Sequence, residues 1–521
     1  MGNLAKPKLV IAGPGAGKTH GMVDEIIHAL KYLERHRYMI VVTYTNSATK
    51  NIKKRLGKRI AIPPNLFIGT IHSFLNRFIV IPYSSLHNQD VNGEKLFIQC
   101  GTDDVLNRMF QNNGETPDYK AKNYIKSRLT TSLHKDGYIT YDQTLSLAEK
   151  AIAKQRIKEM LANRIQYLYV DEFQDTGNKM FSIIESLRKE KKTIIYCVGD
   201  PEQYIQSFDS SIRNFQNIPI LKASKMNQYE TILNKFNRRS VNTIVTFLNH
   251  FSKRVYESNT FEQHCHNEIP GTPVKFISAT QDITTMLPEF FARCEKENIS
   301  YKERGIISKK NDVVNKAIAA LNGNVLAPDK SAKISAVSEI KDTLLSSLGT
   351  NQSSFCDEQG LTPFDLRIMA VQIIRAIREE VITNENSFAA FVKDEFGLTI
   401  KNNIPFKLDN LRQIIVSNSN ANAIMVSNIH RFKGLELDAI LAIAKNEVEL
   451  NLWLETNTKT RDEHSDRGTS DYPRLGYVAF SRARKVLCIS CLEPISDSTK
   501  QKLSDLGVEI DTPTIKFPEL L

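Results

Sequence analysis

The chain of 521 residues carries 69 Lys+Arg against 58 Asp+Glu, a formal net charge of +11 at pH 7, with 41% hydrophobic and 24% charged residues. This composition excludes a disordered or fibrous chain, and the length points to roughly two to four domains. The positive balance is compatible with a polyanionic partner without requiring one. No run approaches the ~18 consecutive apolar residues of a membrane span. The start, MGNLAKPKLVIAG, has no signal-peptide pattern, and seven scattered cysteines show no disulfide spacing. The expectation is a cytoplasmic protein with reduced thiols.

In chain order, KLVIAG reads as a strand running into a glycine-rich loop, GMVDEIIHALKYLERH as an amphipathic helix, and MIVVTYT as a second strand. YLYVDE and TIIYCVGD repeat the strand pattern, and such alternation implies a parallel sheet covered by helices. Residues 76–160 are mostly helical and polar, and they separate strands that should share one sheet. From residue 237 a second strand-bearing region begins with TPVKFISA and ERGIISKK and resumes with AIMVSNIH, LDAILAIA and KVLCISCL. Residues 325–415 form another largely helical stretch, including DLRIMAVQIIRAIREEV. The predicted fold is therefore α/β with two parallel-sheet cores, each carrying a mainly helical insertion. The first core takes residues 1–75 and 161–236 with insertion 76–160. The second takes 237–324 and 416–521 with insertion 325–415. TNTKTRDEHSDRGTSD (456–471) reads as a mobile loop. Cys488 and Cys491 lie three apart in an apolar strand, on opposite faces, and read as core thiols; His264, Cys265 and His266 read as loop residues, not metal ligands.

AGPGAGKT, Ala12 to Thr19, sits between a strand and a helix and fits a phosphate-binding loop with Ala12 in the first glycine position. Small residues at Ala12, Gly13, Gly15, Ala16 and Gly17 let backbone N–H groups turn toward phosphate oxygens, and the following helix adds its positive end. Lys18 then reaches the terminal phosphates and the Thr19 hydroxyl ligates Mg²⁺. YLYVDEFQDT ends an apolar strand in two carboxylates. Asp171 suits the metal and Glu172 the attacking water. Together these two motifs imply nucleoside triphosphate hydrolysis.

DEFQD also resembles motif II of the UvrD/Rep-like (superfamily 1A) DNA helicases, and the remaining motifs of that family follow in order. VVTYTNSATKNIKKRL (41–56) resembles the TFTN motif, GTIHSF (69–74) GTFHS, VGDPEQYIQSF (198–208) motif III, NRRS (237–240) motif IV, SNIHRFKGLEL (427–437) motif V and YVAFSRA (477–483) motif VI. Singly, Tyr44 or Phe208 fits a core position and Arg482 a surface ion pair; eight matches in fixed order select the helicase pattern. The resemblance implies two RecA-like cores of the P-loop NTPase class, ATP and Mg²⁺ as cofactors, and 3′ to 5′ translocation and unwinding on single-stranded DNA. It assigns Lys18, Glu172, Gln203, Arg239 and Arg482 to hydrolysis, with Gln203 at the γ-phosphate and the two arginines as fingers. It assigns His20, Arg238 and Glu436 to the nucleotide, Glu436 on the ribose. It assigns Thr43, Tyr44, Thr45, Asn46, Thr70, His72, Phe208 and His430 to DNA, with Tyr44 and Phe208 stacking on bases.

The sequence departs from the family at several places. Eleven residues precede Ala12 and none is the glutamine that reads adenine. Arg238 stands where the family has a stacking tyrosine, though a guanidinium plane also stacks. Gln206 and Asp209-Ser210-Ser211 replace strand-gripping residues of motif III. The chain after motif VI is too short for a fused nuclease. A compact chain of this layout resembles the helicase subunit of Gabija-type anti-phage systems, which implies an OLD-family nuclease subunit as partner. Two other readings stay open: a nucleotide-sensing regulatory subunit that controls a partner nuclease without unwinding, and an RNA substrate.

Overall fold

The structure, a computed structural model, describes residues 6–84, 97–98, 124–125, 128, 138–206, 214–266, 268–278, 281–321, 324–326, 336–400, 423–466 and 468–510. The chain forms two compact units, Met1–Asp282 with Lys433–Leu521, and Ile283–Phe432.

The first unit is built on six strands: β1 (Lys8–Ala12), β2 (Tyr38–Thr43), β3 (Leu66–Thr70), β4 (Ile165–Val170), β5 (Ile194–Gly199) and β6 (Glu230–Asn234). Their order is β3-β2-β4-β5-β1-β6, parallel at every pairing. Central strands of a parallel sheet are covered on both faces, which is why their sequences are apolar runs without alternation; β4 is buried at every position. Helix α1 (Lys18–Leu30) buries Met22, Val23, Ile26 and Ala29, and α2 (Asn46–Gly57) buries Thr49, Ile52 and Leu56. With Met39, Val41 and Tyr169 these side chains fill one face of the sheet. Leu9, Ile11, Ile40, Leu168, Ile183 and Leu187 fill the other. The four strands read from the sequence are present. The edge strands β3 and β6 were not among them: β3 is five residues long and its end runs into the GTIHSF motif, and β6, ETILN, has no buried position.

The same unit holds a second parallel sheet of β7 (Lys275–Phe276), β8 (Leu437–Ala444), β9 (Ala483–Cys491) and β10 (Glu509–Ile510), in the order β8-β9-β7-β10. Cys488 and Cys491 are buried in β9 and form no disulfide. Helix α3 (Tyr472–Phe480) is buried along its whole length. It packs against helix Glu447–Trp453, and Gly476 makes that approach possible. A Cβ there would lie 2.6 Å from Trp453 Cβ and 2.8 Å from its backbone oxygen.

The expected mobile loop at 456–471 is corrected by the structure. It contains a helix, Thr458–Glu463, and Arg461 and Asp462 are only 1% and 4% exposed. Its charges satisfy buried partners of opposite sign, so polar composition there marks an internal ionic contact, not solvation.

The second unit has its own parallel ladder of Val325–Leu326, Ile424–Asn428 and Arg304–Ser308. Four helices, Ala336–Leu348, Gln352–Gln359, Pro363–Arg378 and Glu385–Phe396, enclose a core that includes Leu344, Leu366, Ile373, Ile377 and Phe388. The third begins at a capping box in which Thr362 and Asp365 exchange hydrogen bonds, and it matches the periodicity read from the sequence. Parallel sheets, flanking helices and a loop after β1 give the chain the α/β two-core fold of P-loop NTPases. Among the described residues no helix is long and apolar enough to cross a membrane.

Because Trp453 backbone atoms cannot yield, Gly476→Ala should lower the unfolding free energy by about 1–3 kcal/mol. Gly57→Ala, at a helix end with open space around the added methyl, should not. Urea unfolding of both variants checks the contrast.

Candidate nucleotide site and nucleic-acid face

Strand β1 ends at the buried Ala12, and the chain turns through buried Gly13 and Pro14. Gly15 (φ 67°) and Gly17 (φ 74°) are left-handed, a region other residues enter only with strain. Gly17 is the N-cap of α1 and supplies no side-chain cap, which leaves the first-turn N–H groups pointing where phosphate oxygens bind. The loop is held from outside: Asn234 Nδ2 donates to Ala16 O at 3.0 Å, Arg238 N to Gly15 O at 2.8 Å and Gln263 Nε2 to Pro14 O at 3.1 Å. Lys18 Nζ donates to Ala12 O at 3.3 Å, and exposed His20 pairs with Asp24 at 3.7 Å. The cradle fits a phosphate chain.

Asp171 follows β4, and its Oδ2 accepts from Thr19 Oγ1 at 3.5 Å. A hydroxyl and a carboxylate are the hard oxygen donors that Mg²⁺ takes, so this pair fits the cation. Burial, with the Glu172 charge beside it, pushes the Asp171 carboxyl up to about 7, while Lys18 opposes the rise. Glu172 sits at φ 49°, strained for a non-glycine residue. Its Oε2 accepts from Gln174 Nε2 at 2.7 Å, and Gln174 Oε1 accepts from Asp200 N at 3.0 Å. Burial works against ionisation of Glu172, but Lys18, Lys433 and the Gln174 hydrogen bond outweigh it, so its pKa is lowered.

After β5, Asp200 caps the short turn Pro201–Gln203. Gln203 Nε2 donates to Asp200 Oδ2 at 2.8 Å, and its Oε1 accepts from Arg482 Nη2 at 3.0 Å. Arg482, just past α3, is buried, and desolvation pushes it down to about 10. Arg239 pairs with Glu436 and donates from Nη1 to Ser481 O at 3.2 Å; burial lowers its pKa as well. Glu172 feels the charges of Lys18, Arg239 and Arg482. Lys18, Thr19, Asp171, Glu172, Gln203, Arg239, Glu436 and Arg482 thus share one region, and Arg238 adjoins the loop at Gly15.

Two groups were missed by sequence reading. Lys433 Nζ donates to both Asp175 oxygens at 2.8 and 2.7 Å and to Gln203 O at 3.0 Å. Both residues stood inside recognised motifs, DEFQD and KGLE, which was the available signal. Burial raises Asp175 to about 6, although Lys433 pulls it back. The other group surrounds Glu202, which pairs with Arg254 at 2.7 Å and Arg461 at 2.8 Å, with Arg474 Nε at 3.6 Å. No spacing pattern announces it.

The residues assigned to DNA are placed unequally. Tyr44, Thr45 and Asn46 are exposed, and Thr45 also caps α2 by accepting from Ala48 N at 3.1 Å. Thr43 is buried, its hydroxyl 2.6 Å from Thr49 Oγ1 and bonded to Thr45 O at 3.1 Å, so it braces the loop from inside. Thr70 accepts from Ser73 N at 3.3 Å and His72 is half-buried on the next turn. Phe208, with Asp209 to Ser211, lies outside the described residues. His430 belongs to the second unit, in the short helix Ile429–Phe432.

Gly15→Ala would put a methyl against Asn237 and Arg239 at a positive φ. Calorimetric titration with nucleotide should show affinity lowered by about tenfold or more, against unchanged circular dichroism. Burial disfavours the Glu202 charge, yet Arg461, Arg254 and Arg474 hold its carboxyl down to about 2. An unfolded glutamate titrates near about 4.3, so this stabilisation is complete above that pH and is lost as pH falls toward 2. The stability gap between wild type and Glu202→Gln should therefore narrow from pH 5 to pH 3; a constant gap would contradict the assignment.

An AAA domain family matches residues 3–209. The ATP-dependent DNA helicase Rep of Buchnera aphidicola subsp. Acyrthosiphon pisum is 26% identical over 380 residues, covering 65% of this chain and 58% of that protein. Rep of Escherichia coli (strain K12) is 24% identical over 351 residues, covering 58% and 50%. The Gabija protein GajB of Bacillus cereus (strain VD045) is 27% identical over 229 residues, covering 43% of each. The chain spans little more than half the length of the Rep proteins it matches. In motif order, fold and sequence the chain resembles the UvrD/Rep-like superfamily 1 helicases, and among them GajB.

Proposed function

We propose that the chain is an ATP-driven motor on single-stranded DNA with 3′ to 5′ unwinding, working in the cytoplasm as the motor subunit of an anti-phage complex with an OLD-family nuclease. The observation that carries this reading is the Gln203–Arg482 hydrogen bond, which joins the turn after β5 to an arginine delivered by the helix that packs on the second sheet. Lys18 and the loop N–H groups bind the phosphates of ATP. Glu172, kept ionised by its neighbours, orients the attacking water and takes its proton. Gln203 contacts the γ-phosphate, and Arg239 and Arg482 move from Glu436 and Gln203 onto the charge that develops there. Mg²⁺ held by Thr19 and Asp171 would neutralise phosphate charge. His20 and Arg238 flank the base and Glu436 meets the ribose.

On the DNA side, Tyr44 offers a ring for stacking, and Thr45, Asn46, Thr70, His72 and His430 offer polar groups to the strand. Phe208 is kept as a second stacking residue, and Thr43 supports the loop. The division into two cores, 1–75 with 161–236 and 237–324 with 416–521, and insertions 76–160 and 325–415 is part of the same proposal. The relatives' names, ATP-dependent DNA helicase and Gabija protein, support the reading. A nucleotide-sensing regulatory subunit that does not unwind is the second reading, favoured by Gln206, which stands in place of a strand-gripping residue and is buried.

Steady-state ATP hydrolysis should rise on adding single-stranded DNA and vanish in Lys18→Ala and Glu172→Gln. Tyr44→Ala should weaken the DNA response by about 1–3 kcal/mol at half-saturation. No stimulation at low salt would contradict the motor. Strand displacement by the isolated chain would remove the second reading.

A further inference from the structure

The turn carrying Gln203 is gripped on its other side by a buried ionic cluster. Glu202, 4% exposed, accepts from Arg254 Nε at 3.1 Å and Nη2 at 2.7 Å, and from Arg461 Nη2 at 2.8 Å. Asp462 accepts from Arg254 Nη1 and Nη2, each at 2.9 Å, and from Arg474 Nη2 at 2.5 Å. The Arg474 guanidinium also lies 3.1 Å from the Phe215 ring centroid. Three guanidiniums thus share two carboxylates, with Phe215 also facing Arg254 at 5.5 Å and Phe251 facing Arg461 at 5.9 Å.

Such a cluster is a poor way to gain stability, because well-packed apolar residues of similar volume often do as well or better. What it supplies is fixed geometry. Helix α3 meets the turn at consecutive points: Arg474 beside Glu202, Tyr477 Oη donating to Asp200 Oδ2 at 3.3 Å, and Arg482 donating to Gln203. Residues 474 and 477 lie one helical turn apart on a common face, and the chain leaving α3 brings Arg482 to the next residue of the turn. The turn itself is tight, with Glu202 N donating to Asp200 Oδ1 and Gln203 N to Asp200 O, both at 3.0 Å. Any displacement of Glu202 is passed to the Gln203 amide.

We propose that Glu202, clamped by Arg254, Arg461 and Arg474, is the positioning residue of the hydrolytic site, and that segment 457–466 is a strap whose Arg461 and Asp462 hold Gln203 in register with Arg482. This rests on the ATP-hydrolysis reading above. None of the five ionic residues is among those assigned to the nucleotide; the cluster acts through Gln203. The strap is therefore part of the engine, although it lies outside every recognised motif.

The test is a double-mutant cycle in the full chain, reading kcat and KM for ATP at saturating single-stranded DNA, with a thermal melt of each variant. Glu202→Gln should lower kcat by about tenfold or more while KM stays within about threefold, the pattern of a misplaced transition-state group. In a Gln203→Ala background the same change should cost less than about a further twofold, because the residue it positions is gone. Arg461→Lys, which keeps the charge but loses the planar fork, should fall between wild type and Glu202→Gln, and it replaces Glu202→Gln in the cycle if that variant does not fold. Losses that multiply in the double variant, or a Glu202→Gln kcat within twofold of wild type, would overturn the inference. An inactive wild-type chain would overturn the functional reading and this inference with it, whereas multiplying losses in an active chain overturn this inference alone.

Discussion

The hydrogen bond from Arg482 to Gln203 depends on a fixed turn and also explains much of its surroundings. An arginine buried to 2% exposure pays no attention to solvent, so every donor it carries must find a protein acceptor. Arg482 meets that demand with Val478 O, Leu435 O, Ser481 Oγ and Gln203 Oε1. Three of those acceptors are local to the second sheet and its flanking helix. The fourth is the side chain that follows Glu202 after β5.

The same constraint accounts for the charges nearby. Carboxylates at Asp171, Glu172, Asp175 and Asp200 crowd a buried region, where each alone would be driven toward its neutral form. Lys18 and Lys433 oppose that drive, and Glu172 is the member of the four whose pKa ends below its ordinary value. The proposed base, Glu172, is thereby distinguished in charge from neighbours of the same chemistry. Gln174 adds position to charge, since one amide binds Glu172 and Asp200 together.

Much of this was legible in the sequence, for a physical reason. Strands covered on both faces must be apolar, so β1, β2, β4, β5, β8 and β9 stand out, and the phosphate loop needs small residues in a fixed order. The edge strand β6 did not stand out because it has no buried position, which removes that requirement. Arg461 and Asp462 were read as part of a mobile polar loop because composition cannot distinguish a charge facing water from one facing an opposite buried charge. Gln263, which donates to Pro14 O, is a glutamine without a pattern around it. Thr43 and Tyr44 show the same limit on a smaller scale: adjacent in one motif, one is buried as the last residue of the covered strand β2 and the other is exposed just past its end.

In the proposed mechanism Arg239 and Arg482 are held on Glu436 and Gln203 and move onto phosphate charge when ATP is cleaved. A crystal structure with ADP, Mg²⁺ and aluminium fluoride tests this most directly. The prediction is that the guanidiniums of Arg239 and Arg482 donate to the fluoride, with Glu172 and Gln203 flanking the water in line with it. Arginines that stay on Glu436 and Gln203, out of reach of the fluoride, would contradict it.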